Sequence, residues 1–189
     1  LALPTVISQL VTMIYNLADT FFVGQMGDPR KVAAVSLVLP AYTMLTAVAN
    51  LFGVGGSSVI SRFLGSGKPA RARQTSTFCI FSAAAAALAL SVFVLIFKRP
   101  LLLLLGANRD TYEFASDYLV WVLVIGGVPT VLGMLFGHLV RSEGSAKQAS
   151  IGMSFGGVLN IILDPIFIMT LDLGVKGAAI ATMISNCAS

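Results

Sequence analysis

Two acidic residues stand inside otherwise apolar stretches of this chain, Asp19 and Asp164. No Lys or Arg shares those stretches, so neither carboxylate has a ready ionic partner. A carboxylate at membrane depth costs at least ~2.5–3.5 kcal/mol on insertion scales. Protonation or cation binding remains as the reason to keep it. Asp19 closes a polar stripe of Thr5, Ser8, Thr12, Asn16 and Asp19, spaced by three or four residues as on one helix face. Hydrogen bonding between helices explains the hydroxyls of that stripe but not its carboxylate. Asp164 follows Asn160 by four residues, so the two share a face. Gly152, Met153 and Gly156 continue that face and let another helix come close. Pro165 lacks an N–H, which deprives the carbonyl of Ile161 of its helical partner. A carboxylate, an amide oxygen and a freed carbonyl then fall within about one turn, the all-oxygen surroundings that hard cations take. Thr182, Ser185 and Asn186 share a further face, where Thr182 can add a hydroxyl oxygen or simply pack.

The elements that must hold these residues follow from composition. The 189 residues are 57% hydrophobic and 11% charged, with a mean hydropathy of +0.91. Soluble domains carry about 25% charge. A span needs ~20 apolar residues, and six stretches qualify or nearly so: about 1–24, 32–61, 74–97, 118–140, 148–171 and 177–189. The sixth is too short to cross and reads as truncated. Residues 112–117 read as a polar lead-in to the fourth. None of the stretches alternates polar and apolar residues as barrel strands do, so they are predicted to be helices, which satisfy their own backbone in lipid. The fold expected is an all-α integral membrane lobe covering 1–189. The bilayer is its first partner, and it belongs in the inner or plasma membrane as a multi-pass protein. The net charge of +4 comes from few basic residues scattered between spans, which argues against nucleic-acid binding.

Six basic residues fall on each side of the implied bundle, so the count does not orient it. Arg62, Lys68, Arg71 and Arg73 are concentrated without acidic neighbours, which favours that connection, and the start of the chain, as cytoplasmic. Cys79 and Cys187 sit in separate apolar runs and read as buried thiols with no disulfide or transition-metal role. Pro40 and Pro129 predict kinks. Gly53, Gly55 and Gly56 read as a packing patch rather than a hinge. His138 reads as an interfacial residue, and Tyr118 with Trp121 as an aromatic belt, either of which could instead line a cavity. Both ends lie inside apolar runs and read as cut, with no cleavable signal peptide visible.

Several motifs in order carry a resemblance: Asn16-Leu17-Ala18-Asp19-Thr20 with Gly24; Gly53-Val54-Gly55-Gly56 running into Arg62 and Gly65; Arg141-Ser142-Glu143-Gly144; Leu159-Asn160-Ile161-Ile162-Leu163-Asp164-Pro165; and Gly174-Val175-Lys176-Gly177-Ala178-Ala179. With these the chain resembles the amino-terminal lobe of multidrug and toxic compound extrusion (MATE) transporters, along its whole length. The resemblance implies one six-helix half of a twelve-helix, two-lobe transporter, with the carboxy-terminal lobe as a missing partner. It implies export of small organic cations by antiport, with Na⁺ or H⁺ as coupling ion and no other cofactor. It implies a cation site at Asp19, Asn160, Asp164 and Thr182. Thr12, Tyr15 and Asn16 are expected along the substrate cavity.

Other readings stay open at this level. A lipid-linked saccharide flippase of the same superfamily would line its cavity with basic residues, whereas acidic ones stand here. An intramembrane aspartyl protease also needs two membrane carboxylates, but Leu163-Asp164-Pro165 is not its Gly-x-Gly-Asp motif. A structural membrane subunit leaves both carboxylates unexplained.

Overall fold

The computed structural model describes Val6, Leu10, Val11, Met13, Ile14, Leu17, Ala18 and residues 21–25, 27–171 and 173–189. The described residues between Val6 and Gly24 are helical. Seven helices follow: α1 (Pro29–Gly65), α2 (Pro69–Ile96), α3 (Lys98–Leu104), α4 (Tyr112–Leu119), α5 (Gly127–Ser142), α6 (Ala146–Pro165) and α7 (Gly174–Ala188). Single π turns extend α4 through Val120–Ile125 and α6 through Ile166–Thr170. Among the described residues three helices are long and apolar enough to cross a membrane, or four if the bent α4–α5 pair is one span.

Local chemistry sets the ends. Asp28 caps α1 by accepting from the Arg30 amide at 2.9 Å, and Pro29 supplies a pre-set φ at the first helical position. The 37 residues of α1 make a rod of about 55 Å at 1.5 Å per residue, longer than the hydrocarbon core. It therefore runs past the stretch 32–61 at both ends. Pro40 lies within it without ending it. α3 occupies residues that the sequence reading leaves to a connection. Beyond it, Asn108 Oδ1 gathers the amides of Asp110 and Thr111 at 3.1 and 3.0 Å and so builds the turn into α4. Residues 112–117 belong to α4 itself.

The α4–α5 pair bends by 52°, with Gly126 between the π turn and α5. The break falls one turn before Pro129, because a proline withholds its N–H from, and its ring crowds, the carbonyl four residues earlier. Gly126 donates instead to Trp121 O at 2.9 Å. The buried Ser91 hydroxyl reaches across from α2 to Leu123 O at 2.7 Å. Tyr118 is buried, 8% exposed, and Trp121 packs against the same apolar cluster. The aromatic belt expected at these two positions is thus part of the interior, because α4 turns them toward α1 and α7.

Two apolar clusters lie in the two halves of the lobe. One gathers Val38, Ala41, Leu102, Ala115, Leu119, Leu123 and Ala178. The other gathers Leu45, Ala49, Ile60, Cys79, Ala83, Ala87, Val131 and Leu135. Alanine recurs because lipid is as apolar as any side chain. Helices in a bilayer associate through close van der Waals contact, which small residues permit.

Candidate cation and substrate site

α6 places the two residues on which the sequence reading rests most. Asn160 and Asp164 are 2% and 0% exposed. The Asn160 amide donates to Asp164 Oδ1 at 3.3 Å, across one helical turn. The other end of that amide, Asn160 Oδ1, is buried with no hydrogen-bond donor among the described residues. An acceptor-only atom buried beside a carboxylate suits a cation better than it suits apolar packing.

α7 packs against α6, and its small residues decide how closely. A Cβ added at Gly156 would come 2.8 Å from the Ser185 carbonyl oxygen. The glycine face read from the sequence is therefore the seat of the last helix. Ala178, Ala179 and Ala181 of that helix are 0–1% exposed. Beside the contact a cavity of about 80 Å³ remains, bordered by Tyr42, Gly133, Met134, Met153, Gly156, Gly157, Asn160, Thr182, Ser185, Asn186 and Ser189. Asn160 and Thr182 thus meet at one cavity. Asp164 lies one turn further along α6, outside its lining. Thr182 Oγ1 donates back to Ala178 O at 3.0 Å, which leaves its lone pairs for another partner. Ser185 Oγ is buried with no partner among the described residues. Asn186 Nδ2 donates to Thr130 Oγ1 of α5 at 3.0 Å and so pins the far wall. Asp19, Thr12, Tyr15 and Asn16, with Thr5 and Ser8, lie outside the described residues.

Two features of this region differ from, or add to, the sequence reading. Tyr42 borders the cavity from α1. It opens a flank that continues through Thr46, Asn50 and Ser57, and this spacing of about four was available in the sequence. His138 makes contacts that the sequence reading does not name. It is half-buried inside α5, packs on Gly53 and shares a hydrogen bond with Asn50 at 3.2 Å. Gly53 is needed there: a Cβ would fall 2.6 Å from His138 Cδ2. Gly56 serves Cys79 in the same way, so two of the three glycines are packing seats within an unbroken helix.

Ion pairs lie away from the cavity. Lys176 near the start of α7 and Asp117 in the second half of α4 meet at 3.0 Å, and Lys31 stands 5.9 Å from the centre of the Phe114 ring. Asp28 and Arg30 pair at 3.0 Å at the start of α1, and this hydrogen-bonded partner holds the Asp28 carboxyl below the usual carboxylate range.

Residues 4–166 match the MatE family. The multidrug export protein MepA of Staphylococcus aureus (strain NCTC 8325 / PS 47) is 36% identical over 188 residues, all of this chain and 42% of that protein. A crystal structure of a MATE protein in complex with MaD3S superposes with a TM-score of 0.93 at 34% identity, over 98% of this chain and 41% of the other. The Vibrio cholerae MATE transporter VcmN in its bent form gives 0.90 at 31% identity, over 97% and 41%. The chain therefore spans about two fifths of the length of these relatives, the extent of one lobe of a two-lobe transporter. These relatives are export proteins rather than enzymes. With its apolar helices and this match, the chain is a multi-pass membrane protein that belongs to the MatE family.

Proposed function

We propose that the protein built on this lobe is a secondary active transporter of the cell membrane. It exports cationic or amphipathic organic molecules in exchange for Na⁺ or H⁺. The observation that carries this reading is the fully buried Asp164 bonded to Asn160, one turn from the cavity that Asn160 and Thr182 border. Asn160 Oδ1, the Asp164 carboxylate and Thr182 Oγ1 supply oxygens only, which fits a hard monovalent cation. Asp19 completes the set on the strength of the family resemblance. Na⁺ would neutralise the buried Asp164 carboxylate, and a proton would do the same by another route. Either becomes a coupling ion if the exported molecule binds the neutralised and charged states unequally, since a ligand shifts an equilibrium only by its differential affinity. The name of the Staphylococcus relatives favours multidrug cargo. Among the described residues the cavity lining of Asn, Thr, Ser, Tyr, Met and Gly holds no basic side chain, which disfavours the pyrophosphate of a saccharide-linked lipid.

The test is transport by the full-length protein in sealed vesicles, with Na⁺ and pH gradients imposed separately. Export of a fluorescent organic cation should follow at least one gradient and stop when that gradient is collapsed. Export that ignores both gradients overturns the antiport reading.

A further inference from the structure

α3 and the turn that follows it enclose a second hollow, which shares no bordering residue with the cavity beside α6. It measures about 740 Å³ and is bordered by Arg99, Leu103, Ala107, Asn108, Arg109 and Tyr112. The backbone sets these residues around it. Gly106, at φ +96°, ends α3 by donating to Leu103 O at 3.1 Å, and Ala107 donates to Leu102 O at 2.9 Å. Asn108 Oδ1 then fixes the turn into α4, accepting from the Thr111 hydroxyl at 3.0 Å as well as from the two amides. The chain reverses so tightly that Arg109, past the turn, borders the same hollow as Arg99 in the first turn of α3.

The charge around this hollow is one-sided. Among the described residues no carboxylate borders it, and neither arginine has an ion-pair partner. The acidic groups of this end of the lobe act elsewhere. Asp28 pairs with Arg30, and Asp110 adds to the field on that same guanidinium. Asp117 pairs with Lys176, and Glu113 borders a different hollow with Lys31 and Lys176. The surface beside the arginines is apolar and open: Ile96 is 67% exposed, Phe97 47%, Leu103 57% and Leu104 85%. Side chains of this kind at the end of a bilayer-spanning helix meet hydrocarbon. α3 therefore lies at the edge of the bilayer, its leucines in the acyl region and its arginine at the level of the headgroups.

We propose that this hollow holds the phosphate of an anionic phospholipid from the adjoining leaflet, bound by Arg99 and Arg109, with Leu103 and Leu104 against its acyl chains. Two guanidinium groups and the Tyr112 hydroxyl offer the donors that phosphate oxygens take. Unpaired positive charge favours an anionic headgroup over a zwitterionic one. A free phosphate would meet the same donors but leave the leucines uncovered, so lipid is the occupant that fits the whole surface. The site is independent of the cargo and of the coupling ion. The experiment titrates the purified full-length protein in detergent, by calorimetry, with short-chain phosphatidylglycerol, phosphatidylcholine and inorganic phosphate. Phosphatidylglycerol should bind about tenfold more tightly than phosphatidylcholine or more. Arg99→Gln and Arg109→Gln should each weaken phosphatidylglycerol about fivefold, the size expected of one basic residue at an anionic lipid surface. Lys98→Gln removes a neighbouring charge that does not border the hollow, and should change the affinity by less than about twofold. Leu104→Gln should weaken the lipid, and inorganic phosphate at the same concentration should not displace it. Equal losses from Lys98→Gln and Arg99→Gln would reduce the effect to general surface charge and overturn the site. Equal affinity for the two lipids overturns it as well, and phosphate that binds as tightly as phosphatidylglycerol overturns lipid as the occupant. Arg99, Arg109 and Leu104 are exposed, so these variants should melt with the wild type in the absence of lipid. Should Arg109→Gln fail to fold, Arg99→Gln against Lys98→Gln carries the same contrast.

Discussion

α2 and α6 are both apolar enough to cross a bilayer, and both begin without a side-chain cap. They do different work. α2 has no glycine, and its buried positions are Ala72, Cys79, Ala83, Ala87, Ser91 and Val94. Its one buried hydroxyl among these, Ser91, closes a backbone bond at the α4 π turn. α6 buries Ala149, Ser150, Gly156, Gly157, Asn160 and Asp164. Alanine lets two helices touch and fill the gap between them. Glycine lets backbone meet backbone, and beside such a contact there is room for polar atoms. Gly156 against the Ser185 carbonyl is that case, and the cavity lies next to it. Hydropathy ranks the two helices as alike, while the placement of small and polar residues separates scaffold from site.

The largest effect should come from striking that difference directly. Asp164→Asn in the full-length protein keeps shape and hydrogen-bonding capacity but can neither release a proton nor balance a cation. Export driven by an ion gradient should fall to the level of empty vesicles while folding is preserved. Asp19→Asn should do the same if the two carboxylates act on one ion. Ser91→Ala in α2 should leave export unchanged and cost about 0.6 kcal/mol, the average for a hydrogen bond between membrane helices. Gradient-driven export by Asp164→Asn at the wild-type rate would remove α6 from the mechanism.

A smaller effect separates the two kinds of small residue. Gly156→Val pushes a branched side chain into the α7 backbone and should destabilise by about 1–3 kcal/mol. It should also weaken Na⁺ binding, because α7 brings Thr182 to the cavity. Ala87→Gly in α2 should cost about 1 kcal/mol through helix propensity and leave Na⁺ affinity untouched. Thermal unfolding and calorimetric Na⁺ titration of both variants check this. Equal changes in binding would mean that the glycine face of α6 is packing like any other.

The helical class, the apolar stretches and the shared face of Asn160 and Asp164 were legible in the sequence, since all three rest on periodicity and on the cost of charge in lipid. The fit of α7 on Gly156 was half-legible: small residues announce a close approach but not which helix makes it. The contacts of His138 were not legible, because Gly53 and Asn50 are brought to it from α1, 88 positions away along the chain for Asn50. Tyr118 was misread for a related reason. A tyrosine near a span boundary fits a belt, and only the bend before Pro129 turns it inward. The sequence shows where a proline stands, but the direction of the bend is a tertiary matter.

The smallest expected effect concerns helix starts, where α1 is capped and α2 and α6 are not. Asp28 accepts from the Arg30 amide and pairs with its guanidinium. Its carboxyl is held below the ordinary range chiefly by the side-chain hydrogen bond from Arg30. A carboxylate with a lowered folded-state pKa contributes stability that is fully present above its unfolded value of roughly 4, and that contribution is lost as pH falls through the lowered value. Asparagine caps about as well as aspartate but cannot form the ion pair. Asp28→Asn should therefore lower the melting temperature slightly at neutral pH and low salt. The gap from wild type should close on acidification below the carboxylate range, and also in high salt, which screens an exposed pair. Asp28→Ala should show a larger gap that persists in acid, because a protonated aspartate still has an oxygen to accept the Arg30 amide and alanine has none. A gap for Asp28→Asn that survives in both acid and salt would show that Asp28 acts by capping alone. The capped start of α1 would then differ from the starts of α2 and α6 only by one neutral hydrogen bond.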